Sequence, residues 1–364
     1  MKKTLSMVLL CLLMATPYFA QENSGGKFSG YMFGDYFYNA LRDSTIDNLN
    51  NTALDGTKDL QGFDFRRIYF TYDYKISNQF STRFRLDAHT IVGTQNSLFV
   101  TYIRDAYLKW KNIFNGSDFI FGVQPNPTYQ ISEEFWNYRS LEKTIMDLRG
   151  IAASRDLGVA LKGNLNSPGT IRYWIMYGNG SSLETEGDKY KRAYALIELQ
   201  PTEEWILTLY SDYQFRPQKE YSQVEQSFNH DALTSALFLG FQNNTNFRIG
   251  IEPFFRTNYN DQIKNEADAY SIKSRNELGV SLFGWLKFTE SLIGIGRYDY
   301  YDPNISSDYK GDSRNYFLLG LSFILHEKVT ITPNLQLETF EKPDNGVSID
   351  PSLTGRITFY YEFL

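Results

Sequence analysis

The chain has 364 residues, a formal charge of −6, 28 Phe, 27 Tyr and a single cysteine. An acidic chain without a basic stripe argues against nucleic acid and against broad attraction to anionic surfaces, and one cysteine excludes an internal disulfide or a set of thiolate metal ligands. Aromatic residues make up 16% of the chain against only 26 Gly and 11 Pro, a composition that suits strands.

At the amino end, Lys2 and Lys3 precede the apolar run "LSMVLLCLLMA", and "TPYFAQ" follows with the small residue Ala20 before Gln21. The run is too short for the roughly 20 residues of a spanning helix. The order of positive charge, apolar run and small residue predicts an export signal over residues 1–20, cleaved after Ala20. Cys11 leaves with it, so the mature chain, residues 21–364, has no cysteine, and loss of Lys2 and Lys3 takes the formal charge to −8.

The rest of the chain shows no apolar run of helical spanning length, and the mean hydropathy of all 364 residues is −0.40. It shows instead a repeated two-residue alternation. In "FSTRFRLDAH", Phe80, Thr82, Phe84, Leu86 and Ala88 share one face, opposite Ser81, Arg83, Arg85, Asp87 and His89. Ile171, Tyr173, Ile175 and Tyr177 oppose Arg172, Trp174 and Met176. Phe247, Ile249, Ile251, Pro253 and Phe255 oppose Arg248, Gly250, Glu252, Phe254 and Arg256. Val329, Ile331, Pro333, Leu335 and Leu337 oppose Thr330, Thr332, Asn334, Gln336 and Glu338. In the final stretch Leu353, Ile357, Phe359, Tyr361 and Phe363 oppose Thr354, Arg356, Thr358, Tyr360 and Glu362. Strands that are apolar and aromatic on one side and charged on the other separate lipid from a wet lumen, and their hydropathy averages away.

Short connectors ("NLNSPG", "PTEE", "NNTN", "HEK") alternate with long hydrophilic ones ("RDSTIDNLNNTALDGTKDLQ", "RPQKEYSQVEQSFNHD", "DPNISSDYKGDSR"). This predicts an all-β transmembrane antiparallel β-barrel of about 16 strands of roughly 8 to 14 residues each. The strands start near Lys27, Gly62, Phe80, Leu98, Asp118, Leu157, Thr170, Lys191, Trp205, Ala232, Phe247, Ser274, Leu292, Tyr316, Val329 and Ser352. The last strand is expected to pair with the first and close the barrel.

One connector breaks the rhythm: Gln124 to Asp156, the third long loop, has no strand pattern. A structureless loop of that length needs a role, and its apolar residues Tyr129, Ile131, Phe135, Trp136, Ile145, Met146 and Leu148 suit packing against an inner wall. It is expected to fold into the lumen and narrow it, with Glu133, Glu134, Arg139, Lys143, Arg149 and Arg155 as constriction-loop candidates.

From "GFDFRRIYF" through "IRDAYLKW", "FGVQPNP", "RDLGVALKG", "YGNG" and "IELQP", the chain resembles the phosphate- and polyphosphate-selective porin family of the bacterial outer membrane. Phe65, Arg66 and Arg67; Asp105, Ala106 and Tyr107; Gly122 and Pro127; Arg155, Asp156 and Gly158; Asn179 and Gly180; and Pro201 carry the likeness, which covers roughly residues 60 to 202. The resemblance implies a trimeric, sixteen-stranded porin with an inward loop.

The polar phase carries the pore-lining candidates Arg83, Arg85, Asp87, Arg172, Arg248 and Arg297. Among the well-phased strands, arginines outnumber acids eight to six, Arg192, Arg256 and Arg356 being set against Glu198, Glu252, Asp299, Glu338 and Glu362 as well. Charges on any polar wall also pair with one another. Arg83 and Arg85, two apart on one face, are the leading selectivity candidates, their alternative being pairing with Asp87 or with acids of the long loop. Arg66 and Arg67 are consecutive and are expected to face opposite sides. His89, His230 and His326 are scattered and no phosphate-cradling loop with Lys appears, so no catalytic, cofactor or metal site is expected. The expected function is passive diffusion of small hydrophilic solutes and ions through an outer-membrane trimer, with a weak selectivity for anions such as phosphate, the barrel being surrounded by lipid and inserted by the barrel-assembly machinery. A surface-binding adhesive barrel is the alternative.

Overall fold

The computed structural model describes residues 24–43, 54, 56–90, 99–184, 186–243, 246–266, 269–306, 311–342 and 348–364. The proposed signal segment lies outside them, as do residues 307–310 of the "DPNISSDYKGDSR" connector.

The strands are β1 (Gly25–Leu41), β2 (Gln61–Lys75), β3 (Phe80–Thr90), β4 (Phe99–Phe114) and β5 (Ser117–Pro125). Two short helices follow, α1 (Gln130–Trp136) and α2 (Ile145–Leu148). Then come β6 (Arg155–Asn164), β7 (Ile171–Gly178), β8 (Arg192–Leu199), β9 (Trp205–Gln214), β10 (Lys219–Tyr221), β11 (Gln226–Phe228) and β12 (Ala232–Asn243). The chain continues with β13 (Phe247–Glu266), β14 (Ala269–Thr289), β15 (Leu292–Asp302), β16 (Arg314–His326), β17 (Val329–Phe340) and β18 (Ser352–Glu362). All but β10 and β11 form one closed antiparallel barrel of sixteen strands, each paired with its neighbour in sequence, and β18 closes on β1 from Tyr31↔Glu362 to Leu41↔Leu353.

The alternation places apolar side chains outside. Along β16, Phe317, Leu319, Leu321, Phe323 and Leu325 are 40%, 66%, 44%, 42% and 64% exposed, whereas Tyr316, Leu318 and Ser322 of the other phase are buried. The same phase carries Ile249, Phe255, Leu335, Ile357 and Phe359 around the barrel, all exposed. An exposed apolar belt of this extent suits hydrocarbon, not water. The interior phase is polar and satisfied across strands: Thr358 Oγ1 donates to Asp35 (2.5 Å), Asn334 Nδ2 to Thr358 (3.0 Å) and Ser281 Oγ to Asp299 (2.6 Å).

Four expectations need correction. Several strands exceed the expected lengths, β13 and β14 having 20 and 21 residues. Their ladder runs on to Glu266↔Ala269, through a polar stretch whose pairing is carried by backbone hydrogen bonds without apolar alternation. The connector read as a plain loop between β9 and β12 holds the β10–β11 hairpin, which docks on β13 through Tyr221 Oη to the Asn260 carbonyl (2.6 Å) and Lys219 to Asp261 (3.0 Å). The third long connector is not structureless, since it carries α1 and α2.

Arg66 and Arg67 do not face opposite sides. The β1–β2 register steps from Phe33↔Arg67 to Gly34↔Phe65, leaving Arg66 as an extra residue. A bulge of this kind breaks the alternation, so Arg66 reaches Asp35 while Arg67 reaches Asp87 at 2.9 Å, both on the polar phase. The β3–β4 register does the same, stepping from Arg85↔Asp105 to Leu86↔Ile103 around Arg104. Arg104 and Asp105 are therefore both buried on the interior side.

Candidate constriction site

Residues 126–154 leave β5 and return to β6 through a closed neck, where Asn126 Nδ2 donates to the Ala153 carbonyl (2.6 Å) and Thr128 Oγ1 meets Tyr210 Oη (2.8 Å). Gly122, one of the motif glycines, lies just before the exit at φ +128°, and a Cβ there would stand 2.3 Å from the Ala106 carbonyl oxygen, so only glycine lets β5 approach β4 so closely. Phe135 and Trp136 of α1 pack edge-on against Phe238 and Phe283, at ring distances of 5.2 and 5.3 Å. Tyr129, Ile145 and Met146 pack with Phe254 and Tyr301. Polar contacts extend the docking: Ser132 Oγ donates to Glu252 (2.5 Å), Arg149 pairs with Glu338 (2.6 Å) with both side chains fully buried, and Arg66 Nη1 donates to the Leu141 carbonyl (3.0 Å). Arg297 Nη1 donates to the Lys143 carbonyl. These partners belong to β2, β12, β13, β14, β15 and β17, and all lie on the polar phase.

Beside this segment, four guanidiniums share two carboxylates. Asp87 accepts from Arg67 Nη1 (2.9 Å), Arg104 Nη1 (2.9 Å) and Tyr102 Oη (2.6 Å). Asp105 accepts from Arg155 Nε (2.5 Å) and stands 3.5 Å from Arg85 Nη1. Arg85 Nε donates to Thr71 Oγ1 (2.8 Å), Arg104 Nη2 donates to Ser154 Oγ (3.0 Å), and both lie over the Tyr69 ring. Both carboxylates are fully buried, and four guanidiniums against two carboxylates give the group a formal excess of two positive charges. Among the described residues, Nη2 of Arg85 and of Arg155 has no hydrogen-bond partner. A cavity of about 470 Å³ opens here, lined by Arg85, Arg104, Arg155, Tyr31 and Tyr69 from the wall, by Glu133, Glu134 and Arg139 from the segment, and farther off by Glu327 and Glu362.

The remaining candidates are elsewhere or neutralised. Arg83 forms a forked pair with Asp73 at 2.7 and 3.0 Å, a partner the sequence reading did not name. Arg172 is held by Glu198 and by Gln200 Oε1 (2.5 Å), and Arg297 by Asp299 (2.9 and 2.5 Å). Arg248 stacks over Phe135 and Trp285 and has no carboxylate within 4 Å among the described residues. In the segment, Arg139 bridges Glu133 (3.1 Å) and Asp147 (3.5 Å), Glu134 accepts from Gln130 (2.7 Å), and the Lys143 backbone N–H donates to Glu142 (2.9 Å). Arg85, Asp87 and Arg155 thus come together as candidates, joined by Arg67, Arg104 and Asp105. The missed signal was two adjacent charged residues inside an apolar strand, "FRRI" and "IRDA", which mark a bulge.

No family model matches the chain, and no curated protein does. Among solved structures, the outer membrane channel DcaP of Acinetobacter baumannii is similar with a TM-score of 0.67 at 13% identity, over 94% of this chain and 98% of that one. An anion-selective porin from Comamonas acidovorans gives a TM-score of 0.66 at 10% identity, over 94% of this chain and all of that one. The chain has the porin fold. OmpT of Vibrio cholerae, an outer membrane protein solved in a trimer form, has the same fold with a TM-score of 0.60 at 10% identity, over 94% of this chain and 100% of that one. The porin barrel is thus shared almost end to end with proteins of little sequence identity.

Proposed function

We propose that the chain is exported by residues 1–20 and closes in the bacterial outer membrane as a porin, a water-filled channel for passive diffusion of small hydrophilic solutes and ions with a weak preference for anions. It works as a homotrimer seated in lipid and inserted by the barrel-assembly machinery, and it performs no catalysis. In this reading residues 124–156 lie across the lumen as its constriction, which accounts for their contacts with the polar phase of strands far apart around the barrel.

The observation that carries the anion preference is the sharing of Asp87 and Asp105 by Arg67, Arg85, Arg104 and Arg155 beside the cavity. A passing ion feels the nearest wall more than the distant acidic connectors, whose field salt screens within about 8 Å. Arg67, Asp105 and Arg155 also belong to the motifs by which the chain resembles the phosphate- and polyphosphate-selective porins, and these positions lie together on this wall. The Comamonas acidovorans porin is anion-selective; for this chain the preference rests on the guanidinium excess.

Purified protein in a planar bilayer, with a potassium chloride gradient, tests the reading. Stable open-channel current with a reversal potential favouring chloride is expected. Absence of current would remove the channel, and a potential favouring potassium would remove the anion preference.

A further inference from the structure

The apolar belt on the outside of the barrel is hollowed on one side. A groove of about 1270 Å³ crosses the outer wall from β13 to β1, bounded by Ile249, Leu282 and Leu286 at one end and by Tyr36, Tyr38 and Ile357 at the other. Its floor is glycine. Gly284 of β14, Gly296 of β15 and Gly355 of β18 take outward positions in one row, paired as Ile249↔Gly284, Gly284↔Gly296, Gly296↔Leu319, Leu335↔Gly355 and Gly355↔Tyr38. Between the glycines, Leu319 and Leu335 form a ridge, 66% and 58% exposed.

Glycine weakens a strand, and within one it marks a bulge, a bend or the close approach of something else. Gly284 answers to its own chain, since a Cβ there would stand 2.4 Å from the Arg248 carbonyl oxygen. Gly296 and Gly355 do not. Neither has a positive φ and neither pairs across a register shift. A Cβ would meet only Leu319 Cδ2 at 3.8 Å or Leu335 Cδ2 at 3.7 Å, ordinary contacts. Their missing side chains leave room outside the barrel.

The groove is continuous with the lipid-facing belt, so its occupant comes from the hydrocarbon. The hydroxyls on its rim are already satisfied within the chain: Tyr36 Oη donates to Gln61 Oε1 (2.6 Å), Tyr38 Oη to Asp59 Oδ1 (2.8 Å) and Tyr298 Oη to Asn315 Oδ1 (2.7 Å). The rim therefore offers no polar contact of the kind that joins protein surfaces in lipid. A second barrel would bring a wall as convex as this one, and the Leu319–Leu335 ridge would hold it off the glycines. A flexible chain one methylene wide reaches the floor, because Ile249 and Leu319 flank Gly284 and Gly296 three strand spacings apart, about 14 Å between backbones. At about 30 Å³ for a group the size of a water molecule, the groove takes about 40 methylene-sized groups, close to the two chains of a phospholipid. We infer that this groove is a binding site for the acyl chains of a membrane phospholipid, one lipid on each barrel.

Native mass spectrometry tests the site. The full barrel is taken from nanodiscs of palmitoyl-oleoyl-phosphatidylglycerol into a mild detergent, and the lipid that stays bound is counted per chain. One lipid per chain is expected. Gly296→Leu and Gly355→Leu fill the floor where the backbone accepts a side chain, and each is expected to cut retention at least about tenfold by removing close contact along the acyl chains. Ala88→Leu, which adds bulk to the outer face of β3, is expected to retain lipid as the wild type does. Should one glycine variant fail to fold, as judged by circular dichroism, the other decides. Complete release of lipid by the wild type, or wild-type retention in the folded glycine variants, would overturn the assignment. So would loss of the assembled mass in those variants with lipid still bound, which would put a second copy in the groove.

Discussion

Replacing Arg85 and Arg104 together by alanine removes the excess charge of the wall while leaving each acid a partner: Asp105 keeps Arg155 and Asp87 keeps Arg67 and Tyr102. The variant therefore strands no buried carboxylate, the usual way such a substitution unfolds a protein. Taken without the glutamates across the cavity, the two net charges of the wall group, about 7 Å from a passing ion in water, favour an anion by about 1.2 kcal/mol unscreened, and by about 0.5 kcal/mol at a Debye length of about 8 Å, an upper bound on the preference. Anions are then enriched about twofold and cations depleted equally, for a chloride-to-potassium permeability ratio of about 5. Arg85→Ala with Arg104→Ala should bring that ratio close to unity, read from reversal potentials in a potassium chloride gradient. Arg83→Ala, whose fork is closed by Asp73, should shift it much less. A double variant with the wild-type ratio, or an Arg83→Ala effect as large as the double one, would refute the wall as the source of selectivity.

Three other outcomes can be checked. Shortening residues 129–152 to a Gly/Ser linker should raise single-channel conductance, and unchanged conductance in an inserted variant would put the segment outside the ion path. Glu252 is 1% exposed, accepts from Ser132 and has no cation within 4 Å among the described residues. Glu252→Gln should therefore stabilise the barrel at pH 8 by about 1–3 kcal/mol in urea unfolding, and a loss of stability would mean the carboxylate is needed where it lies. In the β15–β16 connector, burial together with Asp302 and Glu341 pushes the Asp312 carboxyl up to about 6. Its native value lies above the unfolded one, so its unfavourable contribution is full above pH 6, shrinks as pH falls below that value and is gone only below the unfolded carboxylate value of about 4. Hydrogen exchange of this connector should slow between pH 7 and pH 5 in the wild type, and Asp312→Asn should abolish the change.

Strand placement was legible because lipid and water impose opposite demands on alternate residues. β3, β9, β12, β13, β15, β17 and β18 begin at the residues expected from alternation alone. The polar top of the β13–β14 hairpin was not legible, since a ladder held by its backbone leaves no apolar rhythm. Nor were the contacts of Arg66 and Arg104. Strict alternation sends one residue of each adjacent charged pair outward, and only the slipped registers against Gly34 and Leu86 turn both inward. The partners of Arg83 and Arg85 were missed for a related reason. Asp73 and Asp105 lie on neighbouring strands, and cross-strand register is invisible to a reading taken one strand at a time.

Closure of β18 on β1 also shapes how the molecule can be made. Asp35 and Thr358 meet although 323 residues apart, while the other neighbours in the barrel wall are successive along the chain. Successive hairpins can zip locally, but the seam must wait for both ends, and contacts of such separation form slowly. Until then the two outermost strands present unpaired backbone edges and the growing sheet an uncovered apolar face, a combination that invites aggregation. The seam is therefore the slow step of biogenesis, and the chain needs shelter until both edges meet within lipid.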